Sequence, residues 1–174
     1  MFDLKSMNKE LKRLSKELEK SQHDLVAGLA DDALKTAKGM FGRRQTGWAP
    51  LAPRTLKTHE AHSAEILSKF PTIDTPLYVT GKLEKSVGKR VAKKESAVGT
   101  DDEVMLTQEF GAPNPWANAK PIPPRPVFEP TAHQVFDRMP EHVKKTVGVA
   151  FKHGKGHGAG GGHLIEQVTL GGDE

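Results

Sequence analysis

The sequence lacks cysteine and has few aromatic residues. Its 174 residues include no cysteine, and phenylalanine, tryptophan and tyrosine together make up 6%. The absence of cysteine excludes a disulfide framework and thiolate chemistry, and it is consistent with a reducing cytoplasm. No apolar run approaches the roughly 20 residues that a membrane-spanning helix needs, and the N-terminus has no signal-peptide core. We therefore expect a soluble protein that is made without export and has no membrane partner.

Motifs for catalysis, cofactors and metals are also missing. The Thr80-Gly-Lys82 triplet lacks the glycine five residues earlier that a P-loop needs, and His59-Glu-Ala-His62 is not the HExxH pattern of a metalloprotease. No nucleophile–base pair or carboxylate pair can be placed together. We expect no enzyme activity, no cofactor and no metal site, and we interpret His59 and His62 as part of a solvated polar face.

The charge balance is mildly basic and mixed in sign. There are 26 lysine and arginine residues against 22 acidic ones, a net charge of +4, and the pI is about 9.2. This excess argues for solubility more than for a dedicated polyanion site. Binding of nucleic acid through the lysine-rich N-terminal segment is the alternative function. It is weakened because glutamates alternate with those lysines and aromatic stacking platforms are few.

A proline-rich stretch from Gln108 to Pro130 is the most unusual part of the chain. It contains seven of the 12 prolines. Each proline removes a backbone donor and pushes the preceding residue toward extended geometry, which disfavours helices and central strands. The stretch also carries the large apolar residues Phe110, Trp116, Ile122, Val127 and Phe128. We predict a stiff extended arm that lies against an apolar surface of this chain or of a neighbouring copy.

The arm also matches a peptide-recognition pattern. Pro121-Ile-Pro-Pro124 and Pro123-Pro-Arg-Pro126 both fit PxxP, which SH3-type grooves bind. Such ligands usually lie in disordered tails, whereas this stretch lies between predicted helices and strands. An adaptor ligand is therefore the least favoured of the binding functions.

Apolar periodicity predicts the helices. A helix from Leu4 to about Phe41, either one or two consecutive ones, follows from apolar residues three and four apart, beginning Leu4, Met7, Leu11, Leu14 and Leu18. Similar spacing predicts a helix from Pro130 to about His153, which Pro140 should kink or split. A third helix is predicted over Thr55 to Lys69.

Short strands and turns are predicted between these helices. We expect a strand at Leu77–Val79, paired strands at Val87–Val91 and Ser96–Gly99, and a loop over residues 43–53 with Trp48 as an apolar anchor. Two short helices are also expected: one capped by Thr80 and entered through Gly81, and one begun by Asp101 or Asp102, ending near Phe110 and stopped by Gly111.

Together these elements predict an α+β fold. An antiparallel sheet is flanked by a long N-terminal helix and a C-terminal helix, with the proline-rich extended arm between them. We expect residues 1–153 to form one domain and residues 154–174 to form a flexible tail rich in glycine and histidine. Partial alternation in Leu164 to Leu170 favours a small strand or strap within that tail.

Three stretches, taken in order, carry a family resemblance. They are Thr46-Gly-Trp48-Ala-Pro-Leu51; Leu77-Tyr-Val-Thr80-Gly-Lys-Leu83-Glu-Lys-Ser86; and Val98-Gly-Thr100 with Glu109-Phe-Gly111 and Ile122-Pro-Pro-Arg-Pro126-Val-Phe128. Over roughly residues 25 to 150 the chain resembles the virion-morphogenesis, tail-completion family of tailed bacteriophages. It also looks like the related head–tail connector or neck proteins.

The resemblance implies a structural virion protein. Copies of a small α+β subunit would close into a ring at the head–tail junction, after assembly in the host cytoplasm. The implied partners are other copies, the portal-side connector, and tail terminator or tail-tube proteins. Non-specific contact with DNA in the ring channel is compatible with this function. The copy number and the station, neck or tail end, stay open.

Ring closure needs two different surfaces that meet between neighbours. Arg125, held between two prolines, can pair through its planar guanidinium with a carboxylate of a neighbour or of its own chain. We take Gly81 and Gly111 as glycines required by backbone geometry. The candidate interface residues are Phe110, Trp116, Ile122, Arg125, Val127 and Phe128.

Overall fold

A computed structural model describes residues 4–113 and 121–153 of the chain. Within these residues the helices and strands follow in the order α1 Leu4–Met40, α2 Pro53–Ala61, α3 Ser63–Leu67, α4 Lys82–Ser86, β1 Gly88–Val91, β2 Ser96–Gly99, α5 Glu103–Phe110 and α6 Phe128–His153. The predicted α+β class is confirmed, with long helices at either end of the described chain and an antiparallel sheet between them.

Helix α1 is the longest element and has two different halves. Its 37 residues span about 55 Å. Ala30, Ala37 and Met40 in its second half are buried, whereas the large apolar residues between positions 7 and 18 are exposed. The helix ends before Gly42, whose φ of 72° and close approach to the ring of Phe70 leave no room for a Cβ atom. The single long helix was one of the two predicted alternatives.

The sheet is a two-stranded antiparallel hairpin. Strand β1 pairs with β2, with Gly88 opposite Gly99 and Val91 opposite Ser96. The predicted bounds of the two strands are confirmed within one residue. Such a ribbon is not stable alone. Both strands contact α1, and Val98 packs on the core, so the hairpin is supported by the helix.

Helix α6 runs antiparallel to α1. Asp32 of α1 receives two hydrogen bonds from Arg138, and the ring of His142 lies near both Asp32 and Gly28. Pro140 lies inside α6 without dividing it, so of the two predicted alternatives, a kink or a split, the split does not occur. Pro130 falls in the first turn, where an intrahelical N–H bond is not needed, and the helix therefore begins at Phe128 rather than at Pro130.

The core forms where the second half of α1 meets the short elements. It consists of the buried residues Ala37, Met40, Phe41, Trp48, Val87, Met105 and Val127, with Leu34, Leu77, Leu83, Val98 and Phe128 packed at its edge. The core therefore combines residues from α1, the loop after it, α5 and the end of the arm. Between them these contacts fix the relative positions of α1, α5 and α6.

Three local predictions are corrected by the structure. Leu77 has a φ of 62°, which no strand residue adopts, so the strand predicted at 77–79 is absent. The helix predicted over 55–69 is two helices, interrupted at His62, where φ and ψ are −110° and 18°. Helix α4 is capped by Gly81 in the left-handed region, and Thr80 makes no side-chain cap. Asp102 does cap α5, with its side chain accepting from Val104 N–H.

The arm is not wholly non-helical, since α5 extends to Phe110 and α6 begins at Phe128. The predicted strand at 164–170 and the tail of residues 154–174 lie outside the described residues. Among the residues that the structure describes, no helix is both long and apolar enough to cross a membrane.

Candidate subunit interface

The two halves of the proline arm are hydrogen-bonded to each other. Ala112 and Ile122 form an antiparallel bridge with N–H···O distances of 3.1 and 2.8 Å. Gly111 precedes the bridge with a φ of 71°, and a Cβ there would lie 2.8 Å from the carbonyl oxygen of Ile122. A glycine is therefore required on two counts. The segment that leaves α5 and the segment that leads to α6 therefore lie side by side at this bridge.

The buried carboxylate of Glu109 holds the end of the arm against α5. It accepts hydrogen bonds at 2.6, 3.0 and 3.3 Å from three consecutive backbone N–H groups: Val127, Phe128 and Glu129. These are unpaired N–H groups at the start of α6, where a negative charge is favourable. Glu109 is thus a cap supplied from another helix. The apolar residue Val127, which cannot cap α6 itself, is the sequence signal that an outside cap is needed.

Arg125 is buried without a carboxylate partner among the described residues. Its guanidinium donates at 3.3 Å to Gln108 Oε1 and at 3.3 and 3.5 Å to the carbonyls of Ala49 and Pro50. Its Nε has no partner in the described part of the chain. Burial, and secondarily the charge of Arg44, lower the pKa of Arg125. The guanidinium thus binds its own chain through neutral oxygens and leaves its charge uncompensated.

The remaining arm residues divide by exposure. Val127 is fully buried in the core, so it is unavailable to a partner and leaves the set of interface candidates. Phe128 packs at the edge of the core, and Ile122 is half-buried beside its bridge. Phe110, in contrast, is 78% exposed. Trp116 lies outside the described residues.

Trp48 and Gly81, the other residues predicted to be structural, lie in the core and at a turn with positive φ. Trp48 is a core residue. Gly81 has a φ of 72°, and a Cβ there would lie 3.2 Å from the ring of Tyr78. The position therefore favours glycine for its backbone conformation.

Exposed apolar side chains form two groups on α1 and α5, and among the described residues Leu67, Phe136 and Val143 are exposed elsewhere. One is the first half of α1, where Met7, Leu11, Leu14 and Leu18 remain open to solvent, Leu18 at 60%. We call this set the α1 stripe. The other is the outer face of α5, where Leu106 and Phe110 lie one helical turn apart and are both more than half exposed; we call this pair the α5 face.

The two regions lie far apart on one subunit. At about 1.5 Å per residue, Leu18 is about 33 Å along α1 from Met40. Met40 and Met105 of α5 share the core cluster, so the α5 face lies near that far end of α1. One subunit therefore presents two different apolar surfaces.

The charged residues between α1 and α6 form a structural network. Arg138 donates from Nε and Nη2 to the two carboxylate oxygens of Asp32 at 2.9 and 3.0 Å, and it also donates to Thr36 Oγ1 at 2.7 Å. The hydrogen bonds from Arg138 lower the pKa of Asp32, with a smaller contribution from His142. The network fixes the register of α6 along α1.

His59, in α2, and His62, just after it, have different surroundings. His59 is buried and donates through Nδ1 to the carbonyl of Ile73 at 2.7 Å, whereas His62 lies beyond the end of the helix and is exposed. His59 was predicted to lie on a solvated face, and its burial corrects that expectation. Among the described residues no group of three or more histidine and acidic side chains could hold a metal ion.

Comparison of the chain with protein-family models, with curated proteins and with solved structures finds no match.

Proposed function

We propose that this chain is a structural subunit of a tailed-bacteriophage virion. In this proposal, copies of the chain form a ring at the head–tail junction, as a neck or tail-completion protein, and join the head connector to the tail. The partners are further copies, the portal-side connector and tail terminator or tail-tube proteins. The ring would form in the host cytoplasm and remain in the virion.

The observation that supports this proposal is the pair of separate apolar surfaces. Apolar patches left open on a single subunit mark interaction sites. A ring requires a heterologous contact, in which one surface meets a different surface of the next copy. The α1 stripe and the α5 face are two such surfaces, since Leu18 of the stripe lies about 33 Å along α1 from Met40, and the α5 face lies near Met40.

The anchoring of the arm supports the same function. Phe110 directly follows Glu109, whose carboxylate is bound to the start of α6. It directly precedes Gly111, whose backbone packs closely against that of Ile122. An exposed aromatic on a backbone held at both sides loses little conformational freedom on binding. Phe110 is therefore suited to be an interface anchor.

The test is the oligomeric state and symmetry of the purified full chain. We expect light scattering to detect self-association and electron-microscopy class averages to show closed rotational symmetry, with or without a connector or tail-tube protein added. A chain that stays monomeric at high concentration and binds neither kind of component would contradict the proposal.

A further inference from the structure

A groove of about 560 Å³ lies beside the proline arm. Its walls come from the start of α2, residues 77–83, α5 and residues 121–125. Apolar side chains predominate on them, among them Leu51, Val79, Val104 and Ile122. We call this space the arm groove. Its volume is within the range of sites that bind ligands or peptide side chains.

The charge of the arm groove is positive. Arg54, Lys82 and Arg125 line it, against one acidic residue, Asp102, whose carboxylate already caps α5. Arg125 is only 7% exposed and has an unpartnered Nε among the described residues. A buried charge without a counter-ion is costly, and a carboxylate that reached it would form a strong charged hydrogen bond. The groove therefore favours an apolar segment that carries an acid.

The C-terminal segment of this chain has that composition. Residues 163–174, HLIEQVTLGGDE, contain three acidic residues and no lysine or arginine. In an extended conformation alternate side chains share one face. That places Leu164, Val168 and Leu170 on the same face, with Glu166 between them. One face would then offer both apolar groups for the groove walls and a carboxylate for Arg125.

The length of the chain favours a groove on another copy. Helix α6 has 26 residues, so its end at His153 lies about 39 Å from its start, which is next to Arg125. The 13 residues from His153 to Glu166 reach at most about 47 Å when fully extended. As a flexible chain their average span is only about 18 to 22 Å. Reaching Arg125 of the same chain would thus require about twice the average span.

We propose that residues 163–174 of one copy bind the arm groove of a neighbouring copy, with Glu166 paired to Arg125. This deepens the proposed function, because it names a segment that links successive subunits of the ring. The sequence by itself predicts only a small strand or strap within residues 164–170.

Cysteine cross-linking tests this exchange, and the absence of native cysteine makes it specific. Thr80 is an exposed residue of the groove, and Val168 lies in the proposed segment. Full-length Thr80→Cys and Val168→Cys chains are mixed and oxidised. We expect a disulfide-linked pair of two different chains. The control replaces the groove cysteine with Lys94→Cys, which lies in the β1–β2 turn.

Equal cross-linking of the two cysteine positions would overturn the inference. So would a Thr80→Cys/Val168→Cys double variant that closes only within single chains, because that result would place the segment in its own groove.

A labelled peptide of residues 163–174 gives an independent measurement on the full chain. We expect it to bind, and its Glu166→Gln form to bind about tenfold more weakly, since one charged hydrogen bond is replaced by a neutral one. The peptide variant leaves the folding of the protein untouched, which an Arg125 substitution would not. Equal affinities of the two peptides would contradict the assigned pair.

The failures of the two proposals are distinguishable. If rings form but the inter-chain disulfide does not, only the assignment of residues 163–174 to the arm groove is rejected. A monomeric chain that binds no connector or tail-tube protein, but still binds the peptide, would remove only the ring.

Discussion

The carboxylate of Glu109 lies 2.6 Å from the backbone nitrogen of Val127, although the two residues are 18 positions apart in the chain. This hydrogen bond joins the end of α5 to the start of α6. It keeps Phe110 exposed at a defined place beside the core. The same contact also anchors the arm just after residues 121–125, which form one wall of the arm groove.

Glu109→Ala is expected to destabilise the fold by about 2 kcal/mol, because it removes a helix cap and leaves buried N–H groups without an acceptor. Glu109→Gln retains one carbonyl oxygen and should cost about half as much. Urea unfolding followed by circular dichroism measures both. Exposed Glu103 of the same helix provides the control, and a Glu103→Ala loss as large as that of Glu109→Ala would contradict the capping role.

Stability is expected to fall in acid because of Asp32. Its pKa is lowered in the folded state from the ordinary value of 3.8 by the hydrogen bonds of Arg138. A carboxyl group with a depressed folded pKa contributes stability that is present above its unfolded pKa and is lost as the pH falls through the folded one. The loss attributable to Asp32 should therefore lie below about pH 3.8.

Asp32→Asn tests that assignment. It should cost roughly 1 kcal/mol at neutral pH, since solvent screens the pair, and should flatten the acid limb of the stability curve. The neighbouring Asp31→Asn is the control, because Asp31 is mostly exposed and pairs with Lys89. Identical acid limbs for the Asp32→Asn variant and the unsubstituted chain would exclude this role.

Gly111→Ala is expected to destabilise the protein by at least about 1 kcal/mol, because the new Cβ meets Ile122 and a left-handed φ is strained for alanine. Gly39→Ala should instead stabilise by about 0.5–1 kcal/mol, since Gly39 lies inside α1 with open space around it. Thermal unfolding of the two variants compares the same substitution at a left-handed, crowded position and at a helical, open one. Shifts of equal sign would contradict the geometry assigned to Gly111.

Leu14→Glu in the α1 stripe is expected to weaken self-association by about tenfold or more, because burial of a leucine contributes about 1.5–3 kcal/mol. Leu67→Glu is the matched control, since Leu67 is also about half exposed but lies on α3, outside both apolar regions. Sedimentation velocity measures association, and circular dichroism verifies folding. Equal effects of the two substitutions would remove the α1 stripe from the interface.

His59→Ala is expected to cost about 2–3 kcal/mol, because it opens a cavity and removes the hydrogen bond from Nδ1 to the carbonyl of Ile73. His62→Ala should be nearly neutral, since that side chain is exposed. Denaturant midpoints compare the two. A larger loss of stability for His62→Ala than for His59→Ala would contradict the structural role assigned to His59.

Periodicity and turn chemistry carried most of the secondary structure. The 3–4 spacing located α1 and α6, the charged turn between Val91 and Ser96 located the hairpin, and Asp102 marked the start of α5. The false strand at 77–79 has a physical origin: its residue types favour a strand, but tertiary contacts hold Leu77 at a positive φ. Local propensity contains no information about that override.

The candidate interface depended much more on the tertiary structure. By itself the sequence determined which residues are apolar, which prolines stiffen the arm and where the long helices run, because these follow from local spacing and backbone sterics. Only the tertiary structure decided that Val127 is enclosed, that Phe110 is open, that Glu109 caps α6 and that Arg125 lacks a carboxylate among the described residues. Burial and pairing depend on residues distant in the chain, so no local pattern specifies them.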